Sequence, residues 1–259
     1  MRRLITFGDS YTFGQGLDGT DIAHLSPHPD AWPEHMGRLL GVDTVLNNST
    51  PGSSNKLIWL NALNFDFQPG DVVIFCWSCN QRWLQIRKIK NKKQNVKDLL
   101  GSEPIQIQQY GAWLEEIPEI MEYYVHHWHA LDALHEFCSK ADHVHQYVTD
   151  IVGNSVFHCA VPGILDVGQL TDPPRFSKNR LMADYVDNVR FDNGLDAQLI
   201  EASIFGRPHW FKSPVLATMD PELSEFGKTN DGHLAAPGHP VFANRLFDLM
   251  LTANPKLLD

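Results

Sequence analysis

A chain of 259 residues with 43% hydrophobic, 10% aromatic and 20% charged side chains can bury a sizeable core, which excludes a disordered, collagen-like or coiled-coil protein. Its 21 basic residues against 31 acidic ones give a net charge of −10, which argues against general binding to nucleic acid or to an anionic membrane. Four cysteines are too few for a disulfide scaffold, and the one Cys-x-x-Cys, from Cys76 to Cys79, lies on an apolar run, where buried thiols are expected rather than a zinc site.

The chain opens with Arg2-Arg3 followed by only a few apolar residues before Gly8-Asp9, too short for the hydrophobic stretch of a signal peptide. No run approaches the roughly 18 apolar residues of a membrane helix. A soluble, cytoplasmic protein is expected, and a phage or particle-borne protein would carry the same features. Residues 4–7, 44–47, 71–77 and 155–161 are apolar or β-branched runs that end in small or polar residues, and they predict strands. Helical spacing occupies 32–40, a stretch from near Leu57, and a long segment over 113–137, where Leu114, Ile117, Met121, Tyr124, Trp128, Leu131 and Leu134 recur at three- and four-residue steps. A last amphipathic helix covers 241–251, after the turn-rich Pro237-Gly238-His239-Pro240. This alternation predicts an α/β protein: a three-layer α/β/α sandwich around a mostly parallel, flavodoxin-like sheet of about five strands. One domain is expected over 1–259, with insertions at about 82–118 and 171–214. The first insertion holds seven basic residues and no acidic one between Arg82 and Lys97, and is expected to be a solvated face. The second is rich in Pro, Asp, Asn and Arg and reads as a lid or loop near the site.

Several motifs match only in letters. Gly14-Gln15-Gly16-Leu17-Asp18-Gly19 fits the dinucleotide pattern, but six residues separate it from the first strand and no helix opens behind it. Gly227-Lys228-Thr229 resembles the end of a phosphate loop, with Glu222 where its first glycine belongs. No serine lies in Gly-x-Ser-x-Gly. The histidines at 126, 127, 129, 135, 143 and 145 lack a metal-binding companion pattern, so no metal is expected.

In a parallel sheet the chemistry gathers at the carboxyl ends of the strands. Ser10, in Gly8-Asp9-Ser10, follows the first strand; Gly52, in Asn48-Ser49-Thr50-Pro51-Gly52, follows the second; Asn80, in Ser78-Cys79-Asn80, follows the third. Asp231-Gly232-His233 stands before the last helix and supplies the base and carboxylate that a serine nucleophile needs. A glycine lets a backbone N–H approach a reacting carbonyl, and an asparagine amide adds a second donor, so Gly52 and Asn80 fit an oxyanion hole together with the Ser10 N–H.

These blocks, in this order, resemble those of the SGNH/GDSL-type hydrolases. Residues 4–12 resemble the first block, 48–52 the second, 78–80 the third, and Asp231-Gly232-His233 with Gly238-His239 the last. Ala31-Trp32-Pro33-Glu34, with Leu39-Leu40-Gly41 behind it, resembles the family's first helix. Tyr11 replaces the usual leucine, Ser78 and Gln81 replace a glycine and an acidic residue, and Asn230 holds the place three before the histidine where the acid commonly stands. The resemblance implies a serine esterase with Ser10, Asp231 and His233 as its triad, needing no cofactor, and acting on a small-molecule or carbohydrate ester, for example a short acyl or acetyl group. Arg82 is expected to form a salt bridge to the acidic surface, the other reading being a contact to a substrate carboxylate or sugar hydroxyl. The alternatives are a non-catalytic module of the same fold that binds a glycan or a protein, and a flavodoxin-like mononucleotide binder.

Overall fold

The computed structural model describes residues 2–19, 26–78, 82–88, 105–110, 130–160, 207, 209–215 and 223–259. Its centre is a five-stranded sheet made of β1 (Arg3–Phe7), β2 (Thr44–Asn47), β3 (Val72–Trp77), β6 (Val156–Ala160) and β7 (Trp210–Val215). The order is β2-β1-β3-β6-β7 and every pairing is parallel. The register sets Leu4 beside both Val45 and Val72, and Val73 beside Val156.

Because strand side chains alternate between faces, β1 and β3 divide their apolar residues between two buried layers. Ile5, Phe7, Val73, Phe75 and Trp77 pack against Ile58 and Ala62 of α3 (Asn55–Leu63) and against Phe137, Ala141, Val144 and Val148 of α4 (Ala130–Val152). Leu4, Val72, Ile74 and Cys76 pack against Trp32, Met36 and Leu40 of α2 (Trp32–Leu40) and against Phe242, Leu246 and Met250 of α5 (Gly238–Ala253). The result is the expected three-layer α/β/α sandwich. Each large apolar side chain withdrawn from water here stabilises the fold by about 1.5–3 kcal/mol.

Local signals account for the helix limits. Pro33 sits in the first turn of α2, where a missing N–H costs nothing, and Gly41 ends that helix with a left-handed φ of 62°. Ser54 caps α3 by accepting the Leu57 N–H at 3.3 Å. Pro237 is the N-cap of α5, so the turn-forming residues expected ahead of the helix are its cap and first turn.

Two expectations are corrected. The long helix begins at Ala130 among the described residues and runs on to Val152, beyond the expected end at 137; residues 113–129 lie outside the description. Its second half is carried by the i, i+3 and i+4 series Phe137, Ala141, Val144 and Val148, hidden in sequence among polar neighbours. The expected insertion at 171–214 ends in the core: Trp210–Val215 is the fifth strand, and residues 171–206 lie outside the description. Pro214 obscured it, since proline in a strand is tolerated only at an edge or a bulge, and β7 is an edge with a register shift between His158 and Ala160 of its partner. Within the expected insertion at 82–118, β4 (Trp83–Lys88) and β5 (Ile105–Tyr110) form a separate antiparallel pair with Trp83 opposite Tyr110.

Two buried histidines make the packing sensitive to acid. His239 accepts the Trp32 N–H on Nδ1 at 3.1 Å, so its Nε2 carries the proton and faces the Leu234 carbonyl oxygen. His158 accepts the Trp77 indole N–H at 3.0 Å, faces His145 with its other nitrogen, and stacks on Trp210 with ring centroids 3.9 Å apart. Burial pushes both histidines down, His239 to about 4. The unfolded chain therefore binds protons that the folded one refuses: the His239 contribution is intact above about pH 6.5 and is lost as pH falls towards 4, by on the order of 3 kcal/mol. Urea denaturation at pH 7 and pH 4.5 is expected to show a smaller pH-dependent loss in His239→Asn than in the wild type.

Candidate active site

The carboxyl end of β1 turns directly into α1 (Ser10–Phe13), and Ser10 is its first residue. The turn is tight enough that a Cβ on Gly8 would lie 2.3 Å from the Thr12 hydroxyl and 3.2 Å from the Cys76 carbonyl oxygen, so only glycine fits. Asp9, fully buried, is the N-cap: its Oδ1 accepts the Tyr11 N–H at 3.0 Å. Its Oδ2 accepts the Ser78 hydroxyl at 2.9 Å and Arg82 Nη1 at 2.6 Å, and Arg82 Nη1 also donates to the Ser53 carbonyl oxygen at 3.3 Å. The loop that bears the nucleophile candidate is thus anchored on a buried ion pair.

Across the site, residues 228–234 form a tight hairpin. Lys228 bridges to Leu234, the Thr229 N–H donates to the His233 carbonyl oxygen at 2.8 Å, and Gly232 takes a φ of 86° that favours glycine. The hairpin brings His233 Nε2 to 2.7 Å from Ser10 Oγ. On the other side of the ring, Nδ1 lies 2.9 Å from Asp231 Oδ1. That distance suits charge pairing, although the ring N–H is not aimed along it as in an aligned hydrogen bond. The Tyr11 ring packs against the imidazole at 4.5 Å between centroids.

The two-residue separation of Asp231 from His233 is therefore no obstacle to their meeting. Asp231 also accepts the Thr229 hydroxyl on Oδ1 and the Gln15 side-chain amide on Oδ2, the latter at 3.1 Å. Burial raises the pKa of this carboxyl, but the Thr229 hydroxyl and His233 outweigh it and hold the group below its ordinary value. It stays a carboxylate at neutral pH.

Gly52 lies in a loop stapled to the end of β1. Asn48 N–H donates to the Thr6 carbonyl oxygen at 2.8 Å, Thr50 N–H to that of Gly8 at 3.2 Å, and the Asn47 amide to that of Thr12 at 2.8 Å. Gly52 itself has a φ of 76°, a conformation that only glycine adopts readily. Asn80 lies outside the described residues; Ser78 and Arg82, which flank it in sequence, both bond to Asp9. Arg82 Nη1 is directed onto the Asp9 carboxylate, a buried partner and not the surface acid of the expected salt bridge. Among the described residues no cluster of three or more His, Cys, Asp or Glu could hold a metal.

Beside this edge opens a cavity of about 600 Å³, lined by Phe7 and Phe13, by the loop from Asn47 to Pro51, and by Leu60, Asn61 and Asn64 of α3 and its cap. Among the described residues that line it, none is ionisable.

Sequence reading missed Gln15, Gly16 and Thr229 as parts of this arrangement. The signal is the Gly14-Gln15-Gly16 run, which fits a nucleotide loop in letters and in the structure meets the Asp231 carboxylate.

With the strand order and the Ser10–His233 contact in place, the molecule can be set beside known proteins. No protein-family model matches the chain, and no curated protein matches it. Among solved structures the chain is similar to G-D-S-L lipolytic proteins. One, from Desulfitobacterium hafniense DCB-2, is 11% identical with a TM-score of 0.42, over 95% of this chain and 98% of that one. A phospholipase A1 from Streptomyces albidoflavus NA297 gives the same identity of 11% and TM-score of 0.42, also over 95% and 98% of the two chains. A family two carbohydrate esterase from Clostridium thermocellum is 12% identical with a TM-score of 0.44, over 97% of this chain and 63% of that one. At such identities and TM-scores the likeness assigns no role to any residue, and the roles below rest on this chain's own geometry.

Proposed function

We propose that this protein is a serine hydrolase that cleaves a carboxylic ester through an acyl-enzyme on Ser10. The observation that carries the reading is the chain of contacts from Ser10 Oγ to His233 Nε2 at 2.7 Å and from His233 Nδ1 to Asp231 Oδ1 at 2.9 Å. With the proton on Nδ1, facing the carboxylate, Nε2 accepts the Ser10 hydroxyl. His233 takes that proton as Oγ attacks the ester carbonyl carbon, and Asp231 stabilises the imidazolium that forms. The ester C–O bond then breaks, His233 gives the proton to the departing alcohol, and the acyl group stays on Ser10. Water repeats the sequence with His233 again as base and releases the acid.

The negative charge on the carbonyl oxygen is met by the Ser10 and Gly52 N–H groups and the Asn80 amide. What supports this assignment is that Ser10 begins α1 beside the end of β1, that the Gly52 loop is bonded to that same strand end, and that Asn80 stands in sequence between two residues fixed on Asp9. Each such donor contributes on the order of 3 kcal/mol to lowering the barrier. Arg82 takes the role of a positioning residue under Asp9 in place of a substrate contact.

A short acyl or acetyl ester of a carbohydrate is the proposed substrate; what supports a neutral alcohol portion is that the described residues lining the cavity at the Asn47–Pro51 loop carry no charge. The reading is tested by a serine-reactive phosphonate, which is expected to label Ser10.

A further inference from the structure

The loop that leaves α1 ties two parts of the site together. Gln15 donates its backbone N–H to the carbonyl oxygen of Ser10 at 3.0 Å, and Gly14 donates to the same oxygen at 3.0 Å. The Gln15 side chain then crosses to Asp231, with Nε2 3.1 Å from Oδ2. Gly16 closes the same space: its φ is 81°, and a Cβ there would sit 2.5 Å from Asp231 Oδ1. One residue therefore holds the backbone of Ser10 with its own backbone and the distal carboxylate with its side chain.

Asp231 needs such a hold. It stands at the tip of a short hairpin, and Oδ1 faces the Thr229 hydroxyl, the His233 N–H at 3.4 Å and the His233 ring. Without a partner on Oδ2, rotation of the carboxylate about its last bond would move Oδ1 off the imidazole. A neutral amide can prevent that rotation while leaving the negative charge in place for an imidazolium; an arginine or lysine in its position would compete for that charge.

We propose that Gln15 is a positioning residue that fixes Asp231 against His233 and sets its distance from Ser10. This rests on the triad reading above and adds a residue to it. The test is Gln15→Leu, which removes the donor and keeps the volume, alone and in an Asp231→Asn background. Alone it is expected to lower kcat by about ten- to a hundredfold with KM unchanged, and in Asp231→Asn it is expected to cause no further loss. An unchanged kcat, or an equal loss in both backgrounds, would overturn the proposal, because a general structural role would act in either. A second measurement does not need turnover: exchange of the His233 Nδ1–H with solvent, followed by NMR, is expected to speed up in Gln15→Leu, and an unchanged rate contradicts the proposal. If the wild type hydrolyses no ester, the hydrolase reading falls, while the exchange measurement still decides whether Gln15 holds Asp231.

Discussion

Replacing His233 by alanine is expected to lower kcat for a short-chain aryl ester by about five orders of magnitude, close to the loss from Ser10→Ala, and the double variant is expected to be no worse than either single one. Without the imidazole, nothing at 2.7 Å from Ser10 Oγ accepts its proton, so the remaining rate reflects only binding and the oxyanion donors. Asp231→Asn keeps the shape of the side chain and removes the charge. Its expected loss is about 10⁴-fold, because the amide favours the wrong ring tautomer and leaves the imidazolium without a counter-charge. Steady-state kinetics on the purified variants check all three values, with Tm as the control for folding.

The second large effect concerns stability. Arg82→Leu is expected to destabilise the protein by about 3–5 kcal/mol, because it leaves the carboxylate of Asp9 buried without its cation. In a chain of this size that corresponds to a fall in Tm on the order of 10 °C. Asp9 is fully buried and caps the helix that starts at Ser10, so the damage is expected to reach the nucleophile as well, through loss of the cap at Tyr11 N–H. Asp9→Asn combined with Arg82→Leu removes both charges and is expected to recover part of the Tm but not the geometry. Thermal denaturation of the two variants separates these contributions.

How much of this was legible in the sequence depends on the range of the interactions involved. Strands β1, β2, β3 and β6 are apolar runs that punctuate themselves, and α2 carries its proline and glycine at its ends; such signals are local. The edge strand β7 was not legible, since Lys212, Ser213 and Pro214 break its pattern and its pairing with β6 is set by contacts far away in sequence. In the site, Ser10, Asp231 and His233 were singled out from their motif and position, and the structure brings their polar atoms together. The partners of Asp9 and Asp231 could not be read in the same way. Arg82 lies 73 residues from Asp9 and Gln15 lies 216 from Asp231, and no spacing rule links positions so far apart. The charge of Arg82 suggested a salt bridge to the acidic surface or a substrate contact, because sequence shows a cation but not the buried carboxylate beneath it.

The most direct test of the central claim is covalent. Incubation with an aryl phosphonate ester, followed by intact-mass and peptide mapping, is predicted to place one adduct on Ser10, to give none in Ser10→Ala, and to proceed far more slowly in His233→Ala. A folded wild-type protein that acquires no adduct at Ser10, or that is labelled equally in Ser10→Ala, would contradict the account.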